Sequence, residues 1–306
     1  MSTRRGIALL VAILAVAIGS GLLAALLEGG QDGRARLAHA LRAEQAWHFA
    51  LGLERWAEVL MARERADGGG RDAPGSPWFQ PLPPLPVPGG EVSGRIEDAS
   101  GCFNLNALVP GGEVDGLARA RFERLLDVLG LPRTIAAQAI DWIDADQVPE
   151  IGGAEDLVYL GLNPPRRAAN QPFAHESELL GLPAVDEASY ARLRPHVCAL
   201  PDPAVPINLN FATPELLMAL DPAIDRGTAE ALHREGRADY QSVEQFLDAL
   251  RERGLALPAL PGVAVESRFL RARAEVRLDA IPFVWTALLE REGTRLTAHW
   301  RAPGRP

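Results

Sequence analysis

The period of the apolar positions changes along the chain, and each change marks an element. Residues 7–27, IALLVAILAVAIGSGLLAALL, form an apolar run without a charge, preceded by Arg4 and Arg5. About 20 helical residues cover the roughly 30 Å hydrocarbon core of a bilayer, so this run is long enough to span one. The arginines then stay on the cytoplasmic side and the bulk of the chain lies outside. From Glu28 to about Asp67, Leu37, Leu41, Ala46, Phe49, Leu53, Trp56 and Leu60 recur at spacings of three to five, one face of a helix. The two segments together predict a helix from about Ile7 to Arg65, on the order of 90 Å long. Gly19, Gly21, Gly29 and Gly30 are the points where it is weakest.

Residues 67–90, DGGGRDAPGSPWFQPLPPLPVPGG, are dominated by Gly and Pro and predict a loop or linker, since neither a helix nor a central strand tolerates them. Beyond it, Val92, Gly94 and Ile96 alternate with polar residues as in a strand, and residues 98–101 turn the chain. Near the C-terminus the runs FLRARAEVRLD, IPFVWTALLERE and TRLTAHWRA predict an antiparallel sheet, with a turn at residues 292–294. Residues 109–268 read as almost wholly helical, in two related units. In the first, Gly130 and Pro132 separate two helices; the second opens with Thr213 as N-cap, Pro214 as first helical residue and Glu215 in the first turn. FNLNAL at 103–108 and INLNFA at 207–212 echo each other at the start of each unit, a sign of duplication. The fold class that follows is α+β: a long N-terminal helix packed on a small antiparallel sheet, which a large all-α insertion interrupts.

Charge and composition narrow the chemistry. With 306 residues, 47% hydrophobic, a net charge of -9 and a pI near 5.3, the chain holds several modest domains and has no electrostatic bias toward a polyanion. Six carboxylates, Asp141, Asp144, Asp146, Glu150, Glu155 and Asp156, fall within DWIDADQVPEIGGAED at 141–156. A dry, unpaired cluster of this kind is repulsive, and a hard cation relieves it. Oxygen donors without His or Cys favour Ca2+ over Zn2+, although the spacing is not that of an EF-hand; a solvated acidic loop is the alternative. Cys102 and Cys198 are the only cysteines and lack zinc spacing; in an exported body they form one bridge, and otherwise they are two buried thiols. No P-loop, H-E-x-x-H or Ser-His-Asp pattern accompanies the carboxylates or His175 and His196, so nothing points to catalysis.

The second helical unit resembles helix-hairpin-helix or SAM-like modules, including small domains that bind duplex DNA. Its hairpin, Asp221, Pro222, Ala223, Ile224 and Asp225, has no glycine and faces two carboxylates toward the place of a phosphate, which argues against nucleic acid. At the N-terminus, a secretory signal ending at Ala15, Val16 and Ala17, or a permanent anchor, competes with a third reading. The basic leader ending in Gly6 resembles a prepilin leader, cut to leave Ile7 first. The acidic stretch continues through Tyr159, Asn163, Pro164, Pro165, Asn170 and HESELLGLP at 175–183, and with it the whole chain resembles the K-type minor pseudopilins of type II secretion systems.

That resemblance implies Ca2+ held by the acidic loop, cleavage between Gly6 and Ile7 by prepilin peptidase with methylation of the new terminus, and a non-enzymatic role in exporting folded proteins. It also implies an inner-membrane protein spanning the bilayer through 7–27 with its body in the periplasm, and as partners the assembly platform and other minor pseudopilins. Val11 stands where most pseudopilins carry the Glu that neutralises a neighbouring N-terminus, which suits a subunit placed first, at the tip. The corresponding divisions are leader 1–6, spine helix 7–66, linker and first β part 67–108, helical units 109–204 and 205–268, and C-terminal strands 269–306. The alternative function is a single-span periplasmic protein whose helix-hairpin-helix units bind a partner or DNA.

Overall fold

A computed structural model describes residues 3–66 and 70–304, apart from the side chains of residues 3–12, 15 and 22–35. Helix α1, Thr3–Ala66, runs unbroken for 64 residues, roughly 96 Å. Among the described residues no helix is long and apolar enough to cross a membrane. The expected span at 7–27 lies largely outside the described side chains, as do Gly6, Ile7 and Val11.

Strands β1 (Leu82–Val87) and β2 (Gly90–Asp98) come next. The first helical unit holds β3 (Phe103–Asn104), α2 (Gly116–Val128), α3 (Thr134–Ile143), α4 (Asp156–Leu160), α5 (Glu187–Leu193) and β4 (Val197–Cys198). The second holds β5 (Ile207–Asn208), α6 (Pro214–Leu220), α7 (Arg226–His233), α8 (Val243–Arg251) and β6 (Val263–Ala264). Strands β7 (Phe269–Leu278), β8 (Ile281–Glu292) and β9 (Arg295–Pro303) close the chain. The main sheet has the order β1-β2-β7-β8-β9, antiparallel throughout. Along β7, Leu270, Ala272, Ala274, Val276 and Leu278 are buried while the residues between them carry charge, the period-two pattern of a half-buried strand.

The buried seam of α1 is Ala46, Ala50, Leu53, Ala57 and Met61, not the seven positions that periodicity picks out. Leu53 and Ala46 are common to both sets, but Leu37 and Leu41 are exposed. Three of the five seam residues are alanines because the helix lies close on the sheet. A Cβ at Gly94 of β2 would collide with the Leu53 side chain, so the glycine permits that approach. Large side chains at the edges of the seam, Phe49, Trp56 and Leu60, pack beside it rather than in it.

The Gly- and Pro-rich stretch is folded, which corrects the linker reading. Prolines 83, 84 and 86 belong to β1, an edge strand, where a missing N–H costs no ladder bond on the solvent side. Upstream, Trp78 is fully buried between α1 and the sheet and donates to Asp72. Residues 67–69 lie outside the described residues.

Residues 109–268 are less helical than their composition suggests: residues 144–155 and 161–175 contain no helix. Each unit is closed by a short parallel pairing between its start and its end, β3 with β4 and β5 with β6. The two N-L-N phrases do the same work. Asn104 Oδ1 accepts from Asn106 N–H, and Asn208 Oδ1 from Asn210 N–H. Asn106 then holds Phe173 by its backbone N–H and C=O, and Asn210 holds Tyr240 in the same way. Buried amides with every group matched fix a loop in one conformation. Cys102 and Cys198 form a disulfide across the first closure.

The two units share one hydrophobic core, in which Phe122 and Leu125 of α2 pack with Leu216 and Leu220 of α6. At their junction the buried His196 ring shares a 2.7 Å hydrogen bond with Thr213, the α6 N-cap. Burial lowers the His196 pKa from its ordinary 6.5, and Glu215 opposes the shift. The unfolded chain therefore binds the extra proton more readily, and stability is lost as pH falls below about 6.5. Urea midpoints should drop more between pH 7.5 and pH 5 for the wild type than for His196→Gln; equal drops would show that the ring takes up its proton alike in the folded and unfolded chain.

Candidate metal centre

Helix α3 is buried along nearly its whole length, and its last turn carries Asp141 into the core. The chain then leaves at Asp144, turns at residues 150–153, where Gly153 N–H donates to Glu150 C=O, and re-enters as α4. Asp141 anchors this return: Oδ1 accepts from Glu150 N–H at 3.0 Å and Oδ2 from Ala154 N–H at 2.6 Å. A Cβ at Gly153 would collide with the Asp141 carboxylate, so a glycine is required beside it.

The fold gathers three of the six expected carboxylates. One oxygen from each of Asp141, Asp144 and Glu155 lies within 4.8 Å of the others. The other three are engaged elsewhere. Asp146 is exposed and accepts from Val148 N–H, Glu150 pairs with Arg119 at 2.9 Å, and Asp156 accepts from Ala168 N–H with Arg167 at 3.7 Å.

Two of the three gathered groups are poorly satisfied. Glu155 is 4% exposed, and neither of its oxygens has a partner; Asp144 Oδ1 is likewise buried and unpartnered. Burial pushes Glu155 up to about 7, reinforced by Asp141 and Asp144, and pushes Asp144 up to about 6, reinforced by Asp146 and Asp141. Asp141 is also raised, by burial first, despite its two backbone donors. Two further buried oxygens without partners are Tyr159 Oη and Asn170 Oδ1, the latter on a side chain whose amide donates to Asp146 C=O. Next in sequence to Asp141, Trp142 packs edge-on against Tyr159 at 5.6 Å and stacks on Phe173 at 6.0 Å. Buried acceptors without donors are costly, and mutual repulsion adds to the cost.

This donor set fits a hard divalent cation. It offers only oxygens, and convergence within 4.8 Å suits a single ion. The density of acid along 141–156 signalled the site, while the roles of Gly153 as a packing requirement and of Asn170 as an unpartnered acceptor arise only from the fold.

Family profiles described as type II secretion system (T2SS), protein K, match residues 101–202 and 207–270. Type II secretion system protein K of Pseudomonas aeruginosa is 38% identical over 300 residues, covering 94% of this chain and 89% of the relative. The protein of the same name from Pectobacterium carotovorum is 34% identical, covering 99% and 97%. Among solved structures, a chain of the GspK-GspI-GspJ complex from the type 2 secretion system of enterotoxigenic Escherichia coli superposes with a TM-score of 0.73. It is 27% identical, with 89% of this chain and 100% of that chain covered. Sequence and three-dimensional likeness thus agree over nearly the whole length, and the chain belongs to the type II secretion system protein K family, the K-type minor pseudopilins.

Proposed function

We propose that this minor pseudopilin caps the tip of a pseudopilus, held by its spine to companion minor pseudopilins and carrying Ca2+ in the acidic site. The observation that carries this reading is the polarity of the molecule. Near the β7–β8 turn Arg42 pairs with Asp279, and the part of α1 preceding it extends beyond the sheet. At the other end of the sheet, Arg65 donates to Gly293 C=O and pairs with Glu266. The helical units leave at Asp98 and return at Phe269 beside Leu270, at this second end. A long helix projects one way and a broad helical block covers the other. Such a shape accepts neighbours below and obstructs them above.

Leu37 and Leu41 are 62% and 58% exposed on α1 where it first meets the sheet, His39 between them packing on Phe283 of β8, a surface suited to the spines of other subunits. Partners of the kinds called GspI and GspJ in the solved complex fit this role. The chain is inserted through 7–27 in the inner membrane with its body in the periplasm, and prepilin peptidase frees and methylates Ile7. The SAM-like order of α6, α7 and α8 then serves packing rather than nucleic-acid contact. In the acidic site, Asp141, Asp144 and Glu155 would hold the ion, which supplies the positive charge that their buried oxygens lack and ties the return of the chain to α3.

Co-expression with companion minor pseudopilins and prepilin peptidase tests this directly. The wild type should copurify with them as a chain beginning at Ile7, and Leu37→Asp/Leu41→Asp should lose the complex at unchanged melting temperature. Retention of the uncleaved Met1 terminus together with failure to copurify would overturn the reading.

A further inference from the structure

Arg121 is an arginine with no ion-pair partner at contact distance. It is 5% exposed, and among the described residues no carboxylate lies within 4 Å of it. Its one hydrogen bond is a long one, Nε to Leu220 C=O at 3.5 Å. Arg124 serves the same end of α6 better, donating to Ala219 C=O at 2.9 Å and to Leu220 C=O at 3.3 Å. The helix end is thus capped without Arg121, whose two terminal nitrogens remain free. Burial, followed by the neighbouring Arg124 cation, holds its pKa below the usual arginine range, and the carboxylates of Asp115 and Asp221, beyond ion-pair distance, oppose the shift. A largely buried cation whose terminal nitrogens open onto a pocket presents them to an anion that enters it.

The space beside it is not filled. Arg121 lines a pocket of about 240 Å3 where the two helical units meet, walled by Phe103, Ala107, Leu117, Val205 and Ile207. Gly262 also borders it, and a Cβ there would stand 3.4 Å from Arg121 Nη1. At about 30 Å3 per water, the volume equals roughly eight waters, enough for one aromatic or branched side chain with its carboxylate. The acidic group at the rim, Asp115, is already committed to the Ala118 N–H at 2.7 Å as N-cap of α2.

We propose that this pocket binds a carboxylate borne on a small apolar body, with the Arg121 guanidinium taking the carboxylate and the apolar wall taking the body. A guanidinium presents parallel N–H groups that match a carboxylate's two oxygens. A single cation among apolar walls, with Asp115 at the rim, disfavours the higher charge and hydration of a phosphate. Two sources carry this chemistry: a free aryl or branched carboxylic acid, and the C-terminal residue of a polypeptide ending in an apolar side chain.

The test titrates the full-length chain with 3-phenylpropanoate and with its uncharged amide, followed by NMR of the probe. The acid should bind with a Kd on the order of 1 mM or tighter, and the amide at least tenfold more weakly. Arg121→Met, which keeps the stem and removes the charge, should reduce acid binding to the level of the amide. Should that variant fold poorly, Ala204→Trp, on the exposed loop at the pocket rim, should block the acid while leaving the arginine in place. Ala-Ala-Phe with a free C-terminus binding at least tenfold tighter than 3-phenylpropanoate identifies a polypeptide end, and the reverse order identifies a free acid. Equal binding of acid and amide, no binding of either, or full binding by a folded Arg121→Met would overturn the proposal.

Discussion

Removal of divalent cations from the full chain with a chelator should lower its melting temperature, and returning Ca2+ should restore it. A ligand that binds only the folded state at a thousandfold excess over its Kd contributes about 4 kcal/mol, which for a body of this size is on the order of 10 °C. The sharper test is the sign of the response in variants. Glu155 and Asp144 have buried oxygens without donors and pKa values pushed up to about 7 and about 6. Without an ion, their negative charge destabilises the fold. Glu155→Gln and Asp144→Asn should therefore melt higher than the wild type in chelator, yet gain little or nothing from Ca2+. The curves for wild type and variant cross between the two conditions. Variants that melt lower than the wild type in both, with the Ca2+ increment intact, would mean that these carboxylates do not hold the ion.

Arg291→Met should destabilise the body by about 3–5 kcal/mol, the cost of stranding one member of a buried ion pair. The Arg291 and Asp72 side chains are only 8% and 4% exposed. Both terminal nitrogens of Arg291 reach Asp72, one of them at 2.9 Å. Asp72 also accepts from Trp78 Nε1 and Ser267 N–H, while its backbone carbonyl receives the side-chain amides of Asn208 and Asn210. One carboxylate thus joins the stretch after α1 to β8 and to the second helical unit. Adding Asp72→Asn to Arg291→Met removes the stranded charge and keeps an acceptor for Ser267, so the double variant should recover part of the loss. Urea unfolding measures both. A cost below about 1 kcal/mol, the range of exposed pairs, would show that Asp72 is solvated when Arg291 is gone.

These two sites differ in how far they were legible. The acidic centre announced itself through six carboxylates in a short stretch with Pro149, Gly152 and Gly153, because like charge at that density needs a reason. Which three converge was not readable. Asp141, Asp144 and Glu155 meet only because residues 150–154 fold back on α3 and hydrogen-bond to Asp141. Asp72 had no signal at all: it lies among Gly and Pro residues that read as linker, and its partner Arg291 is 219 residues away. Arg121 was equally silent, since a basic residue on an amphipathic helix is ordinarily solvated.

Local order was set by the sequence wherever period and chemistry agreed. Alternation marks β7 and β9 and a β-rich composition marks β8, Thr213 and Pro214 start α6, and the repeated N-L-N phrases mark the two closures, since each of these signals acts over a few residues. The face of α1 that meets the sheet, the use of a proline-rich segment as an edge strand, and which carboxylates converge were decided by tertiary structure. Each depends on what stands opposite: alanines suit a seam only where Gly94 and Ala274 let the helix approach, prolines suit a strand only at an edge, and carboxylates form a centre only where a return of the chain brings them within reach of one ion.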